Sequence, residues 1–180
     1  MRIQIKRGEI FVTHDDVLES SLSSCVSVCL YHPEYRIGGM THIFGSRLHH
    51  SSGSGKFIRS ETEGFYYADN ALPKLMSMMK EISPAIKRRS LHAAVIGGFD
   101  NEGPIVETLD ELGLKVIRAE GITSYTLTTR QDSRYKFKLK DYCINDGWLR
   151  RVSFDVKNRK ISINRKKHDT GIYDVKIISL

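Results

Sequence analysis

The chain has 180 residues and a mass of 20.5 kDa, which is the size of a single domain. Its composition, 40% hydrophobic and 27% charged, is typical of a globular protein. It excludes collagen, a coiled coil and a secreted disulfide scaffold, and no apolar stretch approaches the ~20 residues of a membrane span. With 28 Lys and Arg against 21 Asp and Glu, the net charge of +7 favours an acidic partner.

The N-terminal quarter of the chain is predicted to form strands. Short strands are expected near residues 2–6 and 9–13, and a polar connection rich in Ser and Asp follows at residues 14–24. The alternation of residues 26–31 indicates a further strand. Residues 37–44 form its return strand after a proline-containing turn, so this pair is expected to be a hairpin.

A loop rich in Gly, Ser and His is predicted at residues 45–64, and a helix after it. Asp69 or Asn70 is a suitable N-cap, and Pro73 is tolerated in a first turn. The apolar face of the helix consists of Ala68, Ala71, Leu72, Leu75, Met76, Met79 and Ile82. A buried strand is expected next, at residues 91–96.

A second helix is predicted to begin near Pro104 and to end at Gly113. The remainder is expected to be mostly strands, including a hairpin formed by residues 152–156 and 161–163. Because strands outnumber the two main helices, the chain is predicted to be a single layered α+β domain of mostly antiparallel strands.

The cysteines indicate the compartment. There are three, Cys25, Cys29 and Cys143, and an odd number leaves at least one unpaired thiol. The N-terminus lacks a signal-peptide core, so a reducing, cytoplasmic location is expected. No C-x-x-C occurs, and we therefore expect no metal site of the zinc type.

The predicted hairpin brings a thiol near an imidazole. If its turn is centred near Glu34, Cys25 lies opposite Ile43 and Val26 lies opposite His42. A shift of one or two residues would place Cys25 directly across from His42. Cross-strand neighbours have Cβ atoms ~4.5–5.5 Å apart, and the two groups would then be within or near hydrogen-bonding reach.

A Cys–His pair is the minimum for nucleophilic catalysis by a thiol. The imidazole takes the thiol proton, and the imidazolium stabilises the attacking thiolate. Cys25 precedes the strand and can be exposed, whereas Cys29 lies within it and is expected to be a core residue. With 7 histidines in the chain, a chance proximity of Cys25 and His42 is the alternative.

Two segments carry a family resemblance. Residues 24–33 (Ser-Cys-Val-Ser-Val-Cys-Leu-Tyr-His-Pro) and residues 38–42 (Gly-Gly-Met-Thr-His) resemble the paired Cys and His segments of the chemoreceptor glutamine deamidase (CheD) family. Supporting similarities lie at residues 67–71, 95–98 and 147–155. The resemblance extends, in pieces, over most of residues 1–156.

The resemblance implies a cytoplasmic enzyme that converts glutamine side chains of methyl-accepting chemotaxis receptors to glutamate. Cys25 would be the nucleophile, and His42 the general base and then the acid, through a thioester and without a cofactor or metal. The implied fold is a layered α/β/β domain over residues 1–165, with residues 166–180 as an extension. A chemotaxis phosphatase of the CheC type is an implied partner.

The chain departs from the family pattern near the cysteine. Ser23 stands where the family has Gly, which would be strained if that position needs a positive φ. The family's third residue is a Thr five or six positions before the Cys, where this chain has Ser20 and Glu19. Glu19 is taken as the third catalytic residue, because a carboxylate can orient an imidazolium, and Ser20 remains the alternative.

Two other functions fit the sequence less well. A non-catalytic relative would bind a chemotaxis receptor or phosphatase and regulate it. A nucleic-acid-binding domain would use the basic residues concentrated at 150–167, but the chain has no recognisable nucleic-acid motif, and no nucleic acid is expected as a partner. Receptor methylation helices tend to be acidic, so the basic bias also fits the deamidase.

Overall fold

The computed structural model describes residues 1–23, 25–44, 64–97, 115–120, 148–167 and 171–180, with the backbone alone at 115–120, 148 and 167. The strands in these residues are β1 Arg2–Gln4, β2 Ile10–Thr13, β3 Val17–Leu22, β4 Val26–His32, β5 Ile37–Ile43, β6 His92–Gly97, β7 Lys115–Glu120, β8 Trp148–Asp155, β9 Lys160–Lys167 and β10 Tyr173–Ser179. The helix α1 is Ala68–Ile82, and a 3-10 turn lies at Arg88–Ser90.

The strands form two five-stranded sheets. The first sheet has the order β1-β3-β8-β9-β10, and the second has the order β2-β5-β4-β6-β7. The pairs β1–β3 and β6–β7 are parallel, and the other pairs are antiparallel. The described residues are therefore mostly antiparallel sheet with a single α-helix, which agrees with a mixed α+β fold.

Two apolar clusters define three layers. One cluster fills the space between α1 and the second sheet, with Leu72 and Leu75 against Val28 and Val95. The other lies between the two sheets and includes Phe154. The described residues thus form helix, sheet and sheet in that order. The second predicted helix, near residues 104–112, lies outside the described residues, and the prediction of two main helices is not confirmed.

The helix begins earlier than predicted. Its N-cap is Tyr67, not Asp69 or Asn70, and the Asn70 side chain accepts a hydrogen bond from the Tyr67 backbone N–H at 3.3 Å. This hydrogen bond satisfies an N–H group that has no intrahelical partner. The predicted apolar face is buried except at its last residue, Ile82, which is exposed.

The polar connection predicted at residues 14–24 is wrong for most of its length, because Val17–Leu22 is the strand β3. Leu18 and Leu22 point into the core between the sheets, together with Ser20, and all three are buried. Strand β3 lies between β1 and β8 in the first sheet and pairs with both. The alternation of apolar and polar residues that is typical of a strand is interrupted in β3, because a serine occupies one of the inward positions.

The C-terminal segment contributes a strand. Strand β10 pairs with β9 along its whole length as the last strand of the first sheet, and Ile178 and Leu180 pack against the core between the sheets. The division of the chain at residue 165 stays a prediction. In the part of the chain that the structure describes, no helix is long and apolar enough to cross a membrane.

Candidate active site

The β4–β5 register differs by one residue from the prediction. Val26 pairs with Ile43, and Ser27 pairs with His42. Cys25 is therefore not directly across from His42 but is its diagonal neighbour, at a position where Cα atoms are about 7–8 Å apart in antiparallel sheets. Cys25 belongs to the core between the sheets, the side on which Ser27 and His42 also lie.

The register alone does not choose between Cys25 and Cys29, because each lies two residues from Ser27 on the same face. Burial distinguishes them. Cys29 is 1% exposed, and burial alone raises the pKa of its thiol far above the usual range. Such a thiol is not ionised near neutral pH. Cys25 is 8% exposed and lies where the chain crosses between the sheets, so it is the better placed nucleophile.

His42 is held by a chain of hydrogen bonds. Its Nδ1 atom lies 2.8 Å from the Ser20 hydroxyl, and that hydroxyl lies 3.2 Å from the Ile5 carbonyl oxygen. If the hydroxyl donates to the carbonyl, its oxygen accepts from Nδ1–H. In that arrangement the proton lies on Nδ1, and Nε2 keeps its lone pair as the basic nitrogen.

Glu19 is not brought to His42. Successive residues of a strand point to opposite faces, and Ser20 takes the inward direction in β3. The Glu19 carboxylate instead forms an ion pair with Arg2 on the outer side of the first sheet. The structure thus brings together Cys25, His42 and Ser20. Because β3 was not recognised from the sequence, the direction of these side chains could not be assigned.

The His42 imidazole is mostly neutral near pH 7. It is 8% exposed, and burial lowers its pKa below the ordinary 6.5. Nδ1 also lies 3.4 Å from the Ile5 carbonyl oxygen, and this hydrogen bond raises the pKa, but by less than burial lowers it. Among the nearby charges, Arg7 lowers it and Glu9 raises it. A neutral imidazole with an available Nε2 is the form that a general base requires.

Gly97 closely approaches the backbone at Cys25. A Cβ atom at this position would lie 2.4 Å from the Cys25 carbonyl oxygen, and φ of Gly97 is +92°. Both the close approach and the left-handed φ require glycine. Ser23 needs no such conformation, because Arg36 and Arg159 are the only non-glycine residues with positive φ in the described ranges.

A basic cleft of about 720 Å³ opens beside this crossing point. It lies at the ends of β3, β8 and β9, and its lining includes Ser23, Arg151, Lys166 and Tyr173. The Lys166 ammonium lies 5.5 Å from the centroid of the Tyr173 ring. None of the described residues that line the cleft is acidic, so the cleft favours anionic groups.

The other candidate residues add no second site within the described ranges. Cys143 lies outside them. Within them, no group of three His, Cys, Asp or Glu side chains is placed to hold a metal ion.

The contact at Gly97 predicts that a methyl group there disturbs Cys25. Gly171→Ala is a matched control, because Gly171 has φ of +66° but no atom of the described residues lies within 4 Å of an added Cβ. We expect Gly97→Ala to lower the free energy of unfolding by about 1–3 kcal/mol more than Gly171→Ala does. It should also slow alkylation of Cys25 by iodoacetamide. Urea unfolding and peptide mass spectrometry measure the two effects, and equal behaviour of the variants would contradict the contact.

The lowered pKa of His42 predicts a loss of stability in acid. Below pH 6.5 the unfolded chain binds a proton at this imidazole that the folded chain resists. The stability that the neutral His42 contributes to the folded chain is present in full above pH 6.5, and it is lost as the pH falls toward the pKa of His42 in the folded chain. Between about pH 7 and pH 5, the wild type should therefore lose more unfolding free energy than His42→Gln. The unfolding free energies are measured by urea titration at each pH. The same dependence on pH in both proteins would show that the pKa of His42 is not lowered.

The curated proteins that are similar to this chain share one name. The chain is 25% identical to the probable chemoreceptor glutamine deamidase CheD of Hahella chejuensis over 165 residues, covering 91% of this chain and 70% of that protein. The proteins of the same name from Methanococcus vannielii and Vibrio vulnificus are 34% and 26% identical, over 54% and 87% of this chain. The chain spans 58% and 74% of their lengths.

Two other comparisons add nothing to the assignment. No family model matches the chain. Among solved structures, the hypothetical protein YfiH of Bacillus licheniformis is 10% identical with a TM-score of 0.35, over 60% of this chain and 46% of that one, which is too low to compare the folds. The curated relatives named above, all probable chemoreceptor glutamine deamidases, are therefore the proteins to which this chain is similar, at 25% to 34% identity.

Proposed function

We propose that the chain is a chemotaxis protein-glutamine deamidase that converts receptor glutamine side chains to glutamate with Cys25 as the nucleophile and His42 as the base. The observation that carries the proposal is the hydrogen-bonded chain from Ile5 through Ser20 to His42, on the same side of the sheet as Cys25. The names of the relatives supply the substrate class.

The first half of the reaction forms a thioester. Nε2 of His42 takes the thiol proton of Cys25, and the thiolate attacks the side-chain amide carbon of the glutamine. The imidazolium then gives its proton to the amide nitrogen. The C–N bond breaks, ammonia leaves, and the acyl group remains on sulfur.

The second half consumes one water. Nε2 removes a proton from this water as its oxygen attacks the thioester carbon. The C–S bond breaks, the thiolate leaves, and the product is a glutamate side chain. The overall reaction is amide plus water to carboxylate plus ammonium, and it needs no cofactor.

Ser20 takes the third position in this proposal. Its hydroxyl holds the proton on Nδ1, so that Nε2 is the nitrogen that exchanges protons, and it accepts a hydrogen bond from the imidazolium when that forms. This is the positioning role that Glu19 was predicted to have. Ser20 keeps the hydroxyl of the family's Thr, so the substitution is chemically conservative.

The basic cleft is proposed to bind the acidic helix that carries the target glutamine. Ser23 lines the cleft and lies two residues before Cys25, so a segment bound there would place a neighbouring glutamine near the thiol. Opposite charges would speed the encounter and orient the helix. A phosphatase partner of the CheC type and a cytoplasmic location come from the family resemblance and belong to the same proposal.

The central test is incubation of a receptor signalling domain with the wild type, Cys25→Ala and Cys29→Ala. The +1 Da Gln-to-Glu conversion is measured by peptide mass spectrometry. We expect conversion by the wild type and Cys29→Ala and none by Cys25→Ala. Both cysteines lie on the side of the sheet that carries His42, but Cys25 is the more exposed of the two.

Circular dichroism and receptor pull-down are the controls for folding and binding. Conversion lost only in Cys29→Ala would assign the nucleophile to Cys29. Binding without conversion by the wild type, with several receptors and with a CheC-type phosphatase present or absent, would support the non-catalytic binding module instead.

The orienting role is tested by paired variants of adjacent residues. Ser20→Ala should lower kcat/KM by roughly 10- to 100-fold, because it removes a hydrogen bond to the charged imidazolium. Ser20→Thr should restore most of the activity, and Glu19→Gln should leave it within about twofold. The reverse pattern, with Glu19→Gln inactive and Ser20→Ala active, would contradict the assignment of Ser20.

A further inference from the structure

Ser27 has an unexplained hydroxyl beside the proposed catalytic pair. It lies directly opposite His42 in the β4–β5 pairing and opposite Ile96 in the β4–β6 pairing. The side chain is 0% exposed, and its oxygen finds no hydrogen-bond partner among the described residues. The same side of β4 carries Cys25 and Cys29 at its two neighbouring positions.

A buried hydroxyl without a partner destabilises a folded protein, because it gives up its hydrogen bonds to water on folding. An alanine would fit the same space between apolar neighbours such as Ile96 without that cost. The position therefore carries a polar group that the packing does not require. Such a group is satisfied when a small polar species enters the site beside it.

We propose that the Ser27 hydroxyl is a further catalytic residue, which binds the departing nitrogen of the glutamine amide and then the water that replaces it. The proposal rests on the deamidase function. Both species bond to the same carbonyl carbon, and both exchange a proton with His42. They therefore occupy the same place, within reach of Nε2 and of the sulfur of Cys25.

The hydroxyl suits both steps because it can accept and donate. As the C–N bond breaks, the Ser27 oxygen accepts a hydrogen bond from the leaving nitrogen while the imidazolium supplies the proton. In hydrolysis it accepts one O–H of the water while Nε2 removes the other proton. The lone pair of the water is thereby directed at the thioester carbon, and Ser27 itself neither gains nor loses a proton.

The test compares Ser27→Ala, Ser27→Thr and the control Cys29→Ala, which removes a different buried atom from the same side of β4. Ser27→Ala should lower kcat by roughly 3- to 10-fold with KM unchanged, the effect of one neutral hydrogen bond. Its melting temperature should rise, because an unpartnered hydroxyl is gone. Ser27→Thr should recover part of kcat, and Cys29→Ala should keep the wild-type kcat.

A second readout separates water positioning from packing. Hydroxylamine competes with water for the thioester and gives a γ-glutamyl hydroxamate, which mass spectrometry distinguishes from glutamate. If Ser27 positions the water, Ser27→Ala should raise the ratio of hydroxamate to glutamate by roughly the factor by which kcat falls.

An unchanged kcat and product ratio with a raised melting temperature would overturn the role of Ser27 and leave the deamidase function intact. A lower kcat with a lower melting temperature and an unchanged ratio would show a packing role and also overturn it. Absence of turnover by the wild type would instead contradict the deamidase function itself.

Discussion

The 2.8 Å contact between the Ser20 hydroxyl and Nδ1 of His42 is the interaction on which the proposed chemistry depends. It connects the two sheets, since Ser20 belongs to β3 of the first and His42 to β5 of the second. Any relative movement of the sheets would therefore change the tautomer or the orientation of the imidazole. The packing of the two sheets against each other therefore also determines the tautomer and the orientation of the His42 imidazole.

Two glycines at the start of β5, the strand that carries His42, allow the layers to approach closely. A Cβ at Gly38 would lie 2.7 Å from a methyl group of Val156, and one at Gly39 would lie 2.5 Å from a methyl group of Leu75. The first glycine faces the other sheet, and the second faces the helix. Strand β5 is thereby pressed between both layers, which gives His42 a fixed position in the middle of the domain.

The sequence predicted the elements that depend on local apolar periodicity. It missed the features that depend on which face of a strand lies against a strand distant in sequence. The β4–β5 hairpin, the helix and the β8–β9 hairpin follow from apolar spacing, and the structure confirms them. The hairpin register was wrong by one residue because the turn length fixes it, not the strands. Ser20 could not be separated from Glu19, because that choice depends on which side of β3 faces the second sheet. The second predicted helix and Cys143 lie outside the described residues.

The two buried thiols, Cys25 and Cys29, differ in their surroundings. Cys25 and Cys29 lie on the same side of β4, and each is a diagonal neighbour of His42. Around Cys29 the apolar core is complete, and burial without a compensating charge keeps the thiol protonated. Cys25 lies just before the strand, where Gly97 closely approaches its carbonyl and where Ser23, two residues earlier, lines the basic cleft. The proposed nucleophile therefore lies where the core ends, because a thiolate and an imidazolium that form there as a pair would not be buried alone.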